Sequence, residues 1–115
     1  MVSIFHTRIR LGHSDLKAHL YTHGLSESNA CDCGSGQETT KHFLLQCRKY
    51  AAPRQELLLS LANVLHLEST EQVLQMCNII EVILCGSEDF SFEVNAEIFK
   101  HVQEYIAKTR RFSLY

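Results

Sequence analysis

Proline occurs once in the 115 residues, at Pro53, and no low-complexity tract or internal repeat interrupts the chain. With 45% apolar and 21% charged residues, that scarcity excludes a proline-rich or charge-rich disordered segment and predicts one folded domain over 1–115. Long hydrophobic runs are also missing. Glu, Gln or Asn breaks each apolar stretch within a few residues, and no basic N-terminal region leads into one. Both features argue against secretion and membrane spanning, and predict an intracellular chain, nuclear or cytoplasmic, with no membrane partner. Five cysteines without an export signal are an odd number, which favours thiolate or metal roles over a disulfide framework.

Catalytic signatures are equally scarce. Gly12-His13-Ser14 lacks the second glycine of a nucleophile elbow, and Ser14 is better used as a helix cap. The Cys31-x-Cys33 pair has no βαβ pattern around it, and the glutamates of the last third alternate with apolar positions as a solvated face does. No enzyme is expected. RNA-recognition, KH and homeodomain signatures are absent too.

What is present begins with charge. Residues 1–54 hold seven Lys/Arg against four Asp/Glu, and residues 55–115 hold four against nine, so the halves stand at +3 and −5. Five of the seven histidines (His6, His13, His19, His23 and His42) share the first half, which mild acidity would make more basic still. A polyanion is expected to meet that half.

Helical periodicity dominates the rest. The opening segment reads as two helical pieces, with Ser14 capping and Gly24 stopping the second, whose buried stripe is Leu16, Leu20 and Tyr21. From Leu25 to Gln37 the chain is an irregular Ser, Asn and Gly-rich loop, and a short helix carries Phe43, Leu44 and Leu45. Pro53 opens a helix with Leu57, Leu58, Leu61 and Leu65 at helical spacing. Ser69 and Gln72 form a capping box for a helix running to Leu84, apolar almost all round, with Cys77 and Cys85 read as core cysteines. The last helix starts near Ser91 and turns Phe92, Phe99, Val102, Tyr105 and Ile106 inward. The fold expected is mostly α, a small helical domain with one irregular zinc-knuckle loop. Residues 8–50 carry its chemistry and 53–111 its C-terminal helices.

The chemistry lies in "ACDCGSGQETTKHFLLQC", residues 30–47. Cys31, Cys33, His42 and Cys47 are the donor types that close a tetrahedron around structural Zn²⁺, and Gly34 and Gly36 let the backbone turn tightly about an ion. Two spacings are unusual. C-x-C is tighter than C-x-x-C, and five residues from His42 to Cys47 leave one helical face, so the helix has to fray or end at Cys47. Lys41, Arg48 and Lys49 offset the negative charge of three thiolates. The alternative is that these thiols are merely small buried residues. Arg8, Arg10 and Lys17, with His13 and His19, lie before the loop and have the chemistry to hold phosphates, or to form an ordinary solvated face.

Residues Thr7–Tyr50 resemble the tail that follows the reverse transcriptase in non-LTR (LINE-type) retrotransposon polyproteins. There an R-x-R-x-G-H-(S/T)-x-L segment precedes a Cys-x-Cys-Gly loop, an E-T-x-x-H-(F/L)-L-x-x-C helix and an aromatic. Arg8, Arg10, Gly12, His13, Ser14 and Leu16 match the first part. Cys31, Cys33, Gly34, Glu38, Thr39, His42, Leu44, Cys47 and Tyr50 match the rest. Gly86-Ser87 and the closing Arg110-Arg111-Phe112 resemble the end of such polyproteins more loosely. The resemblance implies a non-catalytic reverse-transcriptase zinc-binding module holding RNA or single-stranded DNA through Arg8, Arg10, Lys17, Lys41, Arg48 and Lys49. A protein-interaction module, docking on a polymerase body or on itself through its acidic apolar helices, is the competing expectation.

Overall fold

The computed structural model describes residues 2–112, and the fold is mostly helical with no β-strand among them. Six α-helices follow in order: α1 (Val2–Leu11), α2 (Lys17–Thr22), α3 (Ala51–Val64), α4 (Thr70–Gln75), α5 (Ile79–Cys85) and α6 (Phe92–Thr109). Between α2 and α3 the chain forms the irregular loop, one π-helical turn (His42–Gln46) and one 3₁₀ turn (Arg48–Tyr50).

The long helix α6 is the spine. Ile98, Val102, Tyr105 and Ile106 recur at helical spacing along its inner face and are buried against α3, α1 and α5. Each such aliphatic contributes about 1.5–3 kcal/mol when fully removed from water. Leu57, Leu58 and Leu61 of α3 answer from the other side. Ser91 caps α6 as expected, its hydroxyl accepting the Val94 N–H at 3.1 Å. Phe92, by contrast, is 82% exposed, because it lies about 120° round the helix from Ile98.

The single helix expected from Ser69 to Leu84 is two. The Ser69 hydroxyl accepts the Gln72 N–H (3.3 Å) and starts α4, but Met76 is extended (φ −64°, ψ 123°) and the chain turns before α5. The break lets Val73 face α3 while Ile79, Val82 and Ile83 are re-aimed at α1 and α6. A straight helix presents one stripe to one neighbour, and these apolar residues serve several. Cys77, in that turn, and Cys85, the last residue of α5, both expected in the core, are exposed.

At the end of α5, Gly86 adopts φ +76°, ψ −169°, a conformation essentially reserved for glycine. Asn95 clamps the turn, accepting the Ser87 N–H at 3.0 Å and donating to the Ser87 carbonyl at 2.9 Å. A Cβ on Gly86 would stand 2.8 Å from Asn95 Oδ1. Gly86→Ala should therefore cost about 1–3 kcal/mol from backbone strain, more if the clamp is displaced, read as a lower urea midpoint with unchanged slope.

His6 is buried where α1, α5 and α6 meet. Its Nε2 donates to the Ile83 carbonyl (2.9 Å), its Nδ1 faces the Gln103 amide (3.3 Å), and Phe99 packs edge-on at 5.1 Å. Burial holds this ring below the ordinary histidine range, against the Ile83 carbonyl, and Arg10 lowers it further. His19 is lowered by burial, then by His23 and His13. Two of the histidines expected to charge in mild acid therefore resist it. Folded His6 and His19 bind protons more weakly than the unfolded chain does. Their stabilisation is complete above about pH 6.5 and is lost as pH falls through their lowered values. Melting temperature should drop between pH 7.5 and 5, and less steeply in His6→Gln, whose amide still reaches Ile83.

Candidate metal centre

The loop before the π-helical turn is shaped by two glycines. Gly34 (φ +80°) and Gly36 (φ +84°) close a tight hairpin in which the Cys31 N–H meets the Gly36 carbonyl at 2.9 Å and the Glu38 N–H meets the Asn29 carbonyl at 2.8 Å. An isolated bridge pairs Ala30 with Gln37. The hairpin turns Cys31 and Cys33 inward while Asp32 between them stays exposed. Between the cysteines the chain turns, the Gly34 N–H closing on the Cys31 carbonyl at 3.1 Å, and both thiols are buried.

His42 and Cys47 come from the π-helical turn. In an α-helix a five-residue step leaves two side chains about 140° apart. Here the Cys47 N–H bonds the His42 carbonyl at 2.7 Å, closing a wider i→i+5 turn that brings the two residues to one side. Cys47 itself is extended (φ −66°, ψ 121°), so the helix does end there. The Thr39 hydroxyl accepts the His42 N–H (3.1 Å) and starts the turn.

All four side chains are buried, and their donor atoms lie within 4.8 Å of one another. Cys31 Sγ and Cys47 Sγ are 3.7 Å apart, and Cys33 Sγ is 3.3 Å from His42 Nε2. With Zn–S near 2.3 Å and Zn–N near 2.05 Å, the edges of a regular tetrahedron are about 3.8 and 3.6 Å. The donor set therefore has the type and number that a tetrahedral ion takes, and the Cys31–Cys47 and Cys33–His42 separations lie near its edges. Burial pushes the Cys31 thiol up to about 11, with Cys33 and Cys47 adding to the rise. Burial acts the same way on Cys33, but hydrogen bonds from the Ser35 backbone and the His42 ring outweigh it and bring that thiol to about 7.

A supporting layer that the sequence pattern did not reveal holds this arrangement. Arg54, buried in the first turn of α3, donates to the Leu44 carbonyl (3.1 Å) and the Cys47 carbonyl (2.6 Å), and so satisfies the orphan acceptors where the π-helical turn ends. The Tyr105 hydroxyl donates to the Phe43 carbonyl, and burial raises its phenol to about 12, so it remains a donor. Glu38 accepts the Lys17 N–H at 2.8 Å and both arms of Arg111 at 2.8 and 2.7 Å. Glu38 thereby caps α2, which is why the helix begins at Lys17 and Ser14 is not its cap. Ser14 instead accepts the Leu16 N–H (3.1 Å) and lies 2.6 Å from His19 Nδ1. A charged residue this close to the cysteine motif was the available signal for Glu38; nothing local distinguishes Arg54.

The six basic residues differ in what they touch. Lys17 pairs with Asp32 of the loop, Arg48 donates to the Cys33 carbonyl, and Lys49 sits 5.6 Å over the Tyr50 ring. Those three gather about the centre. Lys41 is exposed beside His42, and Arg8 and Arg10 are exposed on α1, with no ion pair to any of these three among the described residues. Tyr21, expected in the buried stripe of α2, is 52% exposed.

Fold and site together define a small helical chain that carries a buried three-cysteine, one-histidine group at metal-binding distance. Over 46 residues, 40% of its length, the chain is 44% identical to a Retrovirus-related Pol polyprotein from type-1 retrotransposable element R1 2 of Nasonia vitripennis, which supports a retrotransposon-related origin. The aligned part spans 11% of that relative. No family model matches the chain, and no solved structure matches it. Among the described residues no helix is long and apolar enough to cross a membrane.

Proposed function

We propose that this chain is a non-catalytic zinc-binding module, of the kind found in the tail of non-LTR retrotransposon reverse-transcriptase polyproteins, that contacts RNA or single-stranded DNA. The convergence of four buried donors on one point carries the reading. Three thiols and an imidazole packed this closely give a divalent cation four donors in one place, and the ion would stabilise the thiolates that burial opposes. Cys31, Cys33, His42 and Cys47 hold the Zn²⁺, and the ion staples the loop to the π-helical turn. Lys17, Arg48 and Lys49 beside the centre, Lys41 next to His42, and Arg8 and Arg10 on α1 supply the phosphate contacts.

Native mass spectrometry tests the metal half: one zinc per chain, absent in Cys47→Ser, is the expected result, and zero zinc in a reduced folded sample refutes it. For the nucleic-acid half, log affinity for a single strand should fall with log salt by about 0.7 per phosphate neutralised. An affinity indifferent to salt removes that half.

A second reading is favoured by one observation, the 82% exposure of Phe92 at the start of α6 beside the half-buried Phe99. As a docking face for a reverse-transcriptase body or a second copy, this stripe would use the acidic helices instead. Mass that rises with concentration in light scattering, and returns to monomer in Phe92→Ser, is its expected signature for self-pairing.

A further inference from the structure

The junction of α1 and α2 holds a pair of aromatic rings used for nothing in the interior. His13 and His23 are exposed and stacked, their centroids 4.7 Å apart and their planes 16° from parallel. The pair is built by the chain. Gly12 (φ +76°) turns the backbone out of α1 directly before His13, Gly24 (φ +73°) ends the α2 region directly after His23, and His23 Nε2 reaches the Gly12 carbonyl at 3.1 Å. His19, four residues before His23, is occupied by contrast: its Nδ1 takes Ser14 and its Nε2 lies 3.2 Å from the Thr40 hydroxyl. Apolar side chains stand exposed next to the stack in sequence, Leu11 at 63% and Leu25 at 74%. Arg8 and Arg10, in the last turn of α1, are exposed and make no ion pair among the described residues.

We propose that the His13–His23 stack is a base-stacking subsite for single-stranded nucleic acid, with Arg8 and Arg10 holding the flanking phosphates. The inference rests on the nucleic-acid reading above and specifies its ligand. A stack of two rings still has an outer π-face, and the flat partner that fits such a face, a few residues along the chain from the unpaired guanidinium groups of α1, is an unpaired base on a phosphate backbone. Bases within a duplex have both faces covered by their neighbours. The free cations of α1 favour a polyanion over an apolar protein segment.

The test uses the full zinc-loaded chain and three strands of about twelve nucleotides, within the usual length of single-strand sites: oligothymidylate, oligouridylate, and an abasic strand with the same number of phosphates. Fluorescence anisotropy should show wild type binding the two base-bearing strands about tenfold more tightly than the abasic one, toward the low end of what one stacked base supplies. His13→Ala/His23→Ala should lose that margin and leave abasic binding unchanged, whereas His13→Phe/His23→Phe should keep it. Arg8→Ala should weaken all three strands alike and reduce the salt slope by about one. Both rings are exposed, and circular dichroism checks that the variants fold. A margin that survives in the alanine pair, or is lost in the phenylalanine pair, overturns the stacking subsite and leaves the nucleic-acid reading standing. Equal loss on all strands assigns the pair to phosphate contact and likewise overturns stacking. Wild type that binds no strand overturns both proposals, and self-association abolished by the alanine pair would then give the patch to protein contact.

Discussion

Stripping the chain with a chelator should abolish hydrogen-exchange protection across residues 29–50 while α3 and α6 keep most of theirs. In small finger peptides the apparent free energy of structural zinc is about 10–16 kcal/mol at neutral pH, and it is folding energy because no preformed site exists without the ion. Here the loop between Asn29 and Glu38 has one bridge and a few turn hydrogen bonds to hold it. Without the metal, Cys31 and Cys33 keep weak thiol contacts with Cys47 and His42 and the Arg48 guanidinium on the Cys33 carbonyl. The long helices differ, since α3 and α6 pack directly on each other and bury Leu57, Leu58, Leu61, Ile98, Val102 and Ile106. Cys47→Ser should reproduce the chelator's effect, because an alcohol is a poor zinc ligand. Thermal melts and exchange profiles that coincide with and without chelator would sink the coupling of zinc to folding. Collapse of α3 and α6 together with the loop would show that the helices have no independent stability.

Glu38→Ala should destabilise the zinc-loaded chain by about 1.5–3 kcal/mol, the usual worth of hydrogen bonds to a charged group, since Glu38 is buried but Arg111 is only partly so. Glu38 is 4% exposed and receives a bidentate Arg111 as well as the Lys17 N–H, so its loss leaves a guanidinium and the start of α2 without their acceptor. Arg111 reaches farther still, donating to the Asp15 carbonyl at 2.8 Å, while the neighbouring Phe112 is buried against Phe43 and Phe5. The end of α6 is thus tied to the opening segment and the cysteine loop at once. Burial opposes the Glu38 carboxylate, but the hydrogen bonds from Arg111 and the Lys17 backbone prevail and hold it below the ordinary glutamate range. A depressed folded value means that this stabilisation is present above the unfolded glutamate range, near pH 4.3, and disappears as pH falls through the folded value. Urea midpoints of the zinc-loaded chain at pH 7 check the clamp: wild type and Glu38→Ala should differ there, and an indistinguishable variant refutes it. In a double-mutant cycle, Glu38→Ala and Arg111→Met should be far from additive.

Much of the local structure was legible because its causes are local. Ser69 and Ser91 cap helices through their own hydroxyls, the leucines of α3 recur at its period, and Gly34 and Gly36 take the positive φ that the loop requires. The four candidate donors could be picked out by residue type and spacing alone, and the structure brings them together. The misreadings share one origin. Ser14 loses the α2 cap to Glu38, more than twenty residues away, and the Ser69–Leu84 helix breaks so that its halves reach different neighbours. Phe92, Cys77 and Cys85 are apolar by type and exposed by position.

The sequence by itself determined a mostly helical chain, its principal caps and stops, an irregular cysteine loop and the donor set, since propensity, capping and ligand chemistry act within a few residues. Tertiary structure alone decided how His42 and Cys47 reach one side, through a π-helical turn whose end carbonyls Arg54 satisfies. It also decided that burial holds His6 and His19 below the ordinary histidine range, and that Arg111 closes on Glu38. These outcomes depend on burial and on hydrogen bonds between segments far apart in the chain, and neither quantity exists until the helices have packed.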